Sequence, residues 1–480
     1  MSDGISAGAG SGRGGTLDVT RFFEALALTP FHTRLLLISC LVTLFDGLDF
    51  TVMAYTLPYM REEMNLTDAQ TGYVSAAAVA GQMIGSLACS YLADLYGRRP
   101  VIIVCTFLSA ILTFMVGFAQ SPDMLIFARF ISGLAIGGLL PAIWSLNVEA
   151  MSSNRRATAV TVIMFGFSFG GFLAAPVTNW VAPDYGWHMV YFLCGALTLA
   201  VSMVLLFTLP ESARWLVAKG APAERIVPLL NRFDPALDAG RYGGFGLSDE
   251  RKSDAKESPW VKFRKLFHGT LAYITPLIWA AYFCSSIAIY LKASFGPTFL
   301  ETLGLERQTA AYIGSYGGLA GAIVGIFLLR FTEKRGPGWI TLAPLLGIPA
   351  ALAIGFGLDS GPAFIPVIIF GSIMIGAGHA AVISITSIYY PSMIRSNGGG
   401  WASFVAKIGA TLAPLLAGFF FIGGKSDVLK GYNLTAACLA GIVVAVLVLA
   451  HYAKRLKGER ADEAAALAAA PVAAPATAGA

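Results

Sequence analysis

Leu92-Ala93-Asp94-Leu95-Tyr96-Gly97-Arg98-Arg99-Pro100 joins two long apolar runs, 70–93 and 100–120. An acid at the end of the first run, a glycine that permits a tight turn and two arginines beyond it can form one charge cluster between two helices. Such a cluster can break and re-form as two rigid bodies rock against each other. A degenerate copy, Glu333-Lys334-Arg335-Gly336, puts Glu333 and Gly336 239 positions after Asp94 and Gly97. The offset of 239 also relates Pro58 to Pro297, Gly137 to Gly376, Arg156 to Arg395 and Gly170 to Gly409. One constant offset through loops and helices implies an internal duplication. It predicts two six-helix halves of the same orientation, related by an axis along the membrane normal, with a substrate site between them near the midplane.

Composition agrees with that plan. The 480 residues are 56% hydrophobic and 13% charged, with a mean hydropathy of +0.69. A soluble chain of this length carries roughly twice as many charged residues. The fold class is therefore an all-α polytopic membrane protein. Twelve transmembrane helices are expected at 32–58, 70–93, 100–120, 123–150, 158–181, 187–209, 271–300, 308–331, 337–358, 362–390, 396–422 and 431–453. They divide the chain into a disordered tail (1–30), a first half (31–209), a polar linker (210–270), a second half (271–453) and a disordered Ala/Pro-rich tail (454–480). Basic residues fall in alternate loops, which puts both termini and the linker in the cytoplasm and the chain in a bacterial inner membrane. The net charge of +5 follows this loop pattern and is not a nucleic-acid signal. The cysteines lie in apolar runs without metal spacing.

Phe45-Asp46-Gly47-Leu48-Asp49-Phe50 sits about fourteen residues into the first run, or near mid-bilayer at ~1.5 Å per residue. Asp46 and Asp49 are three residues apart and so are expected on one helix face. Carboxylates at that depth are costly unless they face a polar cavity, pair with a cation or take up a proton. Proton coupling is therefore placed on Asp49 and Asp46. Arg129, followed by Gly133, Gly137 and Gly138, either snorkels to headgroups or is buried as a charge partner; the glycines, which let helices approach, favour burial. Lys407, about eleven residues into its helix, is the best candidate to bind a substrate carboxylate. Lys292 lies nearer a membrane surface and ranks lower. His379, among small residues, suits a substrate hydroxyl or a proton. Tyr290, Trp401 and Phe404 can supply aromatic walls.

The Asp94–Pro100 loop resembles the signature loop of the major facilitator superfamily, with Ser90 and Leu95 departing from its pattern. The Asp46-Gly47-Leu48-Asp49 run is similar to the first-helix signature of the aromatic acid:proton symporters. Arg129 to Gly138 with Pro141 and Glu149, Leu209-Pro210-Glu211-Ser212, and Tyr389 to Arg395 followed by Gly400-Trp401-Ala402 and Lys407-Ile408-Gly409 resemble further stretches of that family. Ala142 and Lys407 stand where the family has Asn and Arg. The resemblance implies proton-coupled import of a small aromatic carboxylate by a monomer. Lys407 would hold the carboxylate, with His379, Tyr290, Lys292 and Trp401 around the ring. Asp94, Gly97, Arg98, Arg99, Glu149 and Arg156 would form a cytoplasmic gate. Small organic acid, protons and the lipid bilayer are the expected partners, with no cofactor, metal or nucleic acid. Symport of a non-aromatic or sugar acid, or acid sensing without transport, stays open. An enzyme is not expected: no Gly-x-x-x-x-Gly-Lys-Ser/Thr run occurs.

Overall fold

The computed structural model describes residues 15–248, 259–335, 337–390 and 392–469. A short strand, β1 (Thr16–Asp18), leads into α1 (Val19–Ala25), which Asp18 caps by accepting from the Thr20 and Arg21 amides. The first span is α2 (Pro30–Glu63), 34 residues long. His32 closes its start: Nδ1 accepts from the Thr29 amide at 3.2 Å, and Nε2 donates to the Ala150 carbonyl at 3.1 Å. Then come α3 (Asp68–Tyr96), α4 (Arg98–Val116), α5 (Pro122–Gly137) and α6 (Leu139–Ala150). A 53-residue helical run follows, α7 (Arg156–Thr208). It would span ~80 Å if continuous, far more than one bilayer. Pro183 and the left-handed Gly186 (φ +78°) break it into two spans. Among the described residues, the eleven helical stretches long and apolar enough to cross a membrane therefore make the twelve crossings expected.

The linker is folded where it is described. Helices α8 (Ala213–Ala218) and α9 (Ala223–Phe233) precede β2 (Gly244–Gly246), which pairs in parallel with β1, Leu17 opposite Phe245. Phe233 of α9 meets Phe23 and Phe31 edge-on. Residues 15–29 were expected in a disordered tail and instead build this plate with the linker. Two three-residue strands more than 200 positions apart carry no local sequence signal. The second half holds α10 (Pro259–Lys265), α11 (Leu271–Thr302), α12 (Arg307–Arg335), α13 (Leu342–Gly355), α14 (Phe364–Ile383), α15 (Ile385–Tyr389), α16 (Ser392–Phe420) and α17 (Lys425–Ala469). The last helix runs on through residues 454–469, past the expected end of order. Residues 1–14, 249–258 and 470–480, Gly336 and Pro391 lie outside the described residues.

The duplication is visible in the packing. A Cβ on Gly170 would meet the Leu44 carbonyl, and a Cβ on Gly409 would meet the Phe283 carbonyl. Leu44 and Phe283 are themselves 239 positions apart. Likewise Gly137 abuts Gln82 and Gly376 abuts Gly321, again with both partners 239 apart. Each half thus packs its first helix on its fifth and its second on its fourth through the same backbone approaches. The halves meet between mid-span and the end far from the termini. Contacts there join Ser315 to the Phe172 carbonyl, Asn179 to the Gln308 carbonyl, Gly72 to Gly418 and Arg307 to Glu62.

Candidate functional site

Mid-bundle, α2 is clamped against α7. A Cβ on Gly47 would lie 2.0 Å from the Phe167 carbonyl oxygen. This contact fixes the helix that carries both carboxylates. The two aspartates, expected on one face, have different surroundings. Asp49 is 2% exposed and turned into the first half. Its Oδ1 accepts from the Thr113 hydroxyl at 2.8 Å, while Oδ2 has no hydrogen-bond partner. Arg129 is also 2% exposed and lies within electrostatic reach of Asp49. Its guanidinium stands 5.9 Å from the Tyr191 ring centroid, with Nε and Nη1 unbonded. Burial, not snorkelling, is the outcome for Arg129. The Tyr191 hydroxyl donates to the Met53 sulfur at 3.3 Å.

Asp46, 4% exposed, is influenced by Asp49 and, from the other half, by Lys407 on α16. The Lys407 ammonium has no hydrogen-bond or ion-pair partner among the described residues, and it also acts on His379. His379 on α14 is tied through Nδ1 to the Ser285 hydroxyl on α11 at 2.8 Å. Asp46 and His379 are thus both within electrostatic range of Lys407, and Ser285 holds the histidine ring. Tyr290 reaches across the seam to Phe50, edge-on at 5.8 Å. Lys292 turns inward, its Nζ donating to the Ser372 carbonyl at 3.1 Å.

Trp401 is placed elsewhere. It is 37% exposed and joins an aromatic cluster with Phe263 (4.8 Å), Trp279 (6.3 Å) and Phe404 (5.9 Å). Phe263 belongs to α10, so Trp401 fastens the end of the linker to the second half instead of walling the mid-bundle group. Thr113, Tyr191 and Ser285 escape a sequence reading, since hydroxyls inside apolar runs look like ordinary helix residues.

At the termini-bearing end, Asp94, Gly97, Arg98, Arg99 and Glu149 come together in one charge cluster. Arg98 bridges Glu149 at 2.9 Å and Asp94 at 3.0 Å. Glu211 accepts from the backbone amides of Arg98 (2.9 Å), Arg99 (3.2 Å) and Ser212 (2.8 Å). Burial pushes the Glu211 carboxyl above its ordinary range, against the pull of those amides and of Arg98. The Ser212 hydroxyl donates to Glu149, and Arg99 Nε donates to the Leu209 carbonyl at 2.8 Å. Gly97 has φ +108°, and a Cβ there would fall 2.3 Å from Glu211 Oε2. Only glycine meets both demands. Glu211 is the centre of this cluster, and the Pro-Glu-Ser run was its sequence signal. Arg156 is not part of it; it pairs with Glu24 at 3.0 Å and fastens α1 to the start of α7.

The sequence model described as Major Facilitator Superfamily matches residues 39–414. Among characterised proteins, the chain is similar to the 4-hydroxybenzoate transporter PcaK of Pseudomonas aeruginosa, 29% identical over 446 residues, 92% of this chain and 96% of that one. It is also similar to a gallate transporter of Pseudomonas putida, 29% identical over 405 residues, 84% and 88% of the two chains. Among solved structures, a D-xylose–proton symporter superposes with a TM-score of 0.67 at 17% identity, over 87% of this chain and 97% of that one. A bacterial homolog of the human lysosomal transporter Spinster, inward-facing and unoccupied, gives 0.66 at 19%, over 89% and 98%.

Proposed function

Because the chain belongs to the Major Facilitator Superfamily, we propose that it imports a small aromatic carboxylate of the protocatechuate or 4-hydroxybenzoate class together with protons. Membership makes it a multi-pass membrane transporter, not an enzyme. The similarity to 4-hydroxybenzoate and gallate transporters supports the substrate class. The observation that carries the mechanism is charge placed across the seam: Asp46 in the first half within reach of Lys407 in the second. The arginines of the 98–99 and 155–156 loops support a cytoplasmic location for the termini-bearing end, in an inner membrane. The protein works as a monomer on this reading.

Coupling follows from charge balance in a low-dielectric site. With Asp46 ionised and Lys407 charged, the empty seam is neutral and the halves can rock. Protonation of Asp46 frees the ammonium, and the substrate carboxylate takes its place, so the loaded seam is neutral again. A proton without substrate, or substrate without a proton, leaves a buried net charge that opposes reorientation. Asp49, beside Arg129 and Thr113, is the second proton position. His379, held by Ser285, presents its other ring nitrogen to a ring hydroxyl.

The test is uptake of labelled 4-hydroxybenzoate into proteoliposomes, with and without an inward proton gradient. Unlabelled aromatic acids, sugar acids and dicarboxylates serve as competitors. Gradient-driven accumulation blocked by aromatic acids alone is expected. Accumulation insensitive to the gradient, or blocked equally by sugar acids, would overturn the coupling or the substrate class respectively.

A further inference from the structure

At the far end of the seam, one arginine sits between two glutamates that the duplication relates. Glu62 ends α2 and Glu301 nears the end of α11, 239 positions apart. Arg307, at the start of α12, donates to both. Its Nη2 reaches Glu62 Oε1 at 2.6 Å and Nη1 reaches Glu62 Oε2 at 3.1 Å, a two-point grip across the seam. Its Nε donates to Glu301 of its own half. The guanidinium also stands over the Tyr59 ring at 4.6 Å, again on α2. The repeat position of Arg307 in the first half is Asp68, which pairs with Arg61 of the same half. The cross-seam grip is therefore one-sided, made by the second half alone.

We infer that Arg307 is the outer latch of the transporter: Glu62 and Tyr59 of the first half are what its guanidinium holds, and Glu301 is a partner within its own half. An isolated exposed ion pair would contribute little. Here the arginine side chain is only 26% exposed, the contact is bidentate, and an aromatic face is added. Neighbouring seam contacts, Asn179 to the Gln308 carbonyl at 3.1 Å and Ser315 to the Phe172 carbonyl at 2.6 Å, lie on the same helix. The latch must release for the far end to open. Its first-half partners ride on the helix that carries Asp46 and Asp49. Thirteen residues, ~20 Å of helix, separate Asp49 from Glu62. The proton site and the latch thus move as parts of one element.

The inference rests on the alternating-access reading, and its test needs no substrate. Gly314 lies in the seam, where a Cβ would sit 3.4 Å from the Tyr55 hydroxyl, so a cysteine fits there and is half-buried while the far end is shut. A membrane-impermeant maleimide would be added to right-side-out vesicles bearing Gly314→Cys. Labelling would be read over the background of the same chain without that substitution. Arg307→Gln and Glu62→Gln are each expected to speed labelling roughly three- to tenfold. The double variant should do no more than either single one. Glu301→Gln, which cuts only the contact within one half, should change the rate less than about twofold. Unchanged labelling in both Arg307→Gln and Glu62→Gln, with thermal melts like the parent's, would overturn the latch. Equal acceleration by Glu301→Gln would overturn the cross-seam assignment. Failure of aromatic-acid uptake with these labelling shifts intact would instead remove the substrate reading and leave the latch standing.

Discussion

Position 46 of the first half is an aspartate; its counterpart 239 residues on is Ser285. Asp49 corresponds to Ala288, Arg129 to Ile368, Lys407 to Ser168 and His379 to Leu140. The backbone approaches of the two halves coincide, pair for pair, while their charged residues coincide nowhere in the site. The first half holds the acids and a buried arginine, and the second holds the lysines and the histidine. The difference follows from the task. Like groups facing each other across the seam would repel or leave buried charge unbalanced, whereas an acid facing a cation allows a neutral seam in both the empty and the loaded carrier. Duplication supplied two rigid bodies, and divergence supplied the complementarity.

The largest effect is expected from removing the first half's own proton position. Asp46→Asn should bring gradient-driven accumulation to background in proteoliposomes, while exchange of labelled for unlabelled substrate persists, because its loaded seam is neutral and its empty seam is not. Loss of both activities in well-folded protein would mean that Asp46 supports the helix packing and does not titrate in the cycle. Removing the cation of the opposite half comes next. Lys407→Gln should raise the KM for uptake roughly ten- to a hundredfold, the range of a lost charge-assisted hydrogen bond. Adding Asp46→Asn to Lys407→Gln keeps the empty seam neutral but leaves the loaded seam with the substrate's charge, so neither exchange nor proton-driven accumulation should recover. Exchange restored in the double variant would mean that net seam charge does not govern reorientation.

The fold was largely legible because membrane spans and duplication leave strong one-dimensional signals: apolar runs, loop charges and one constant offset. The charge cluster of Asp94, Arg98 and Glu149 was legible because charged residues are sparse in this chain and the Asp-x-x-Gly-Arg-Arg spacing places them at one helix end. Trp401 was misjudged because an indole reads alike whether it walls a cavity or fastens a linker helix. Arg156 was misjudged because its partner, Glu24, lies in a segment with no periodicity of its own. Arg307 went unremarked among the arginines because its meaning comes from Glu62, 245 positions away.

Packing offers a test of the other side of the comparison, that the halves are alike in backbone. They are alike in plan but not in tightness. A Cβ at Gly170 would lie 1.8 Å from the Leu44 carbonyl oxygen, whereas one at Gly409 would lie 2.8 Å from the Phe283 carbonyl oxygen. Gly170→Ala must push α7 off α2 and should cost ~1–3 kcal/mol, seen as a lower melting temperature in detergent. Gly409→Ala should cost less than half as much. Equal melting shifts would mean that the first half yields as readily as the second.

Ser285 tests the comparison at its finest grain, because it is the repeat mate of Asp46 and serves the second half's histidine. Its hydroxyl contacts His379 Nδ1 at 2.8 Å, which fixes the ring and decides what Nε2 presents to the seam. Ser285→Ala removes one neutral hydrogen bond, worth about 0.5–1.5 kcal/mol, so a roughly two- to tenfold rise in KM is the ceiling. The effect should be selective. If His379 reads a ring hydroxyl, 4-hydroxybenzoate uptake weakens while benzoate, which lacks the hydroxyl, is unchanged. Ser285→Thr, which keeps the donor, should retain the parent's preference. A loss shared equally by both acids would make Ser285 a packing residue of the seam, and the second half's polar set would shrink to its lysines.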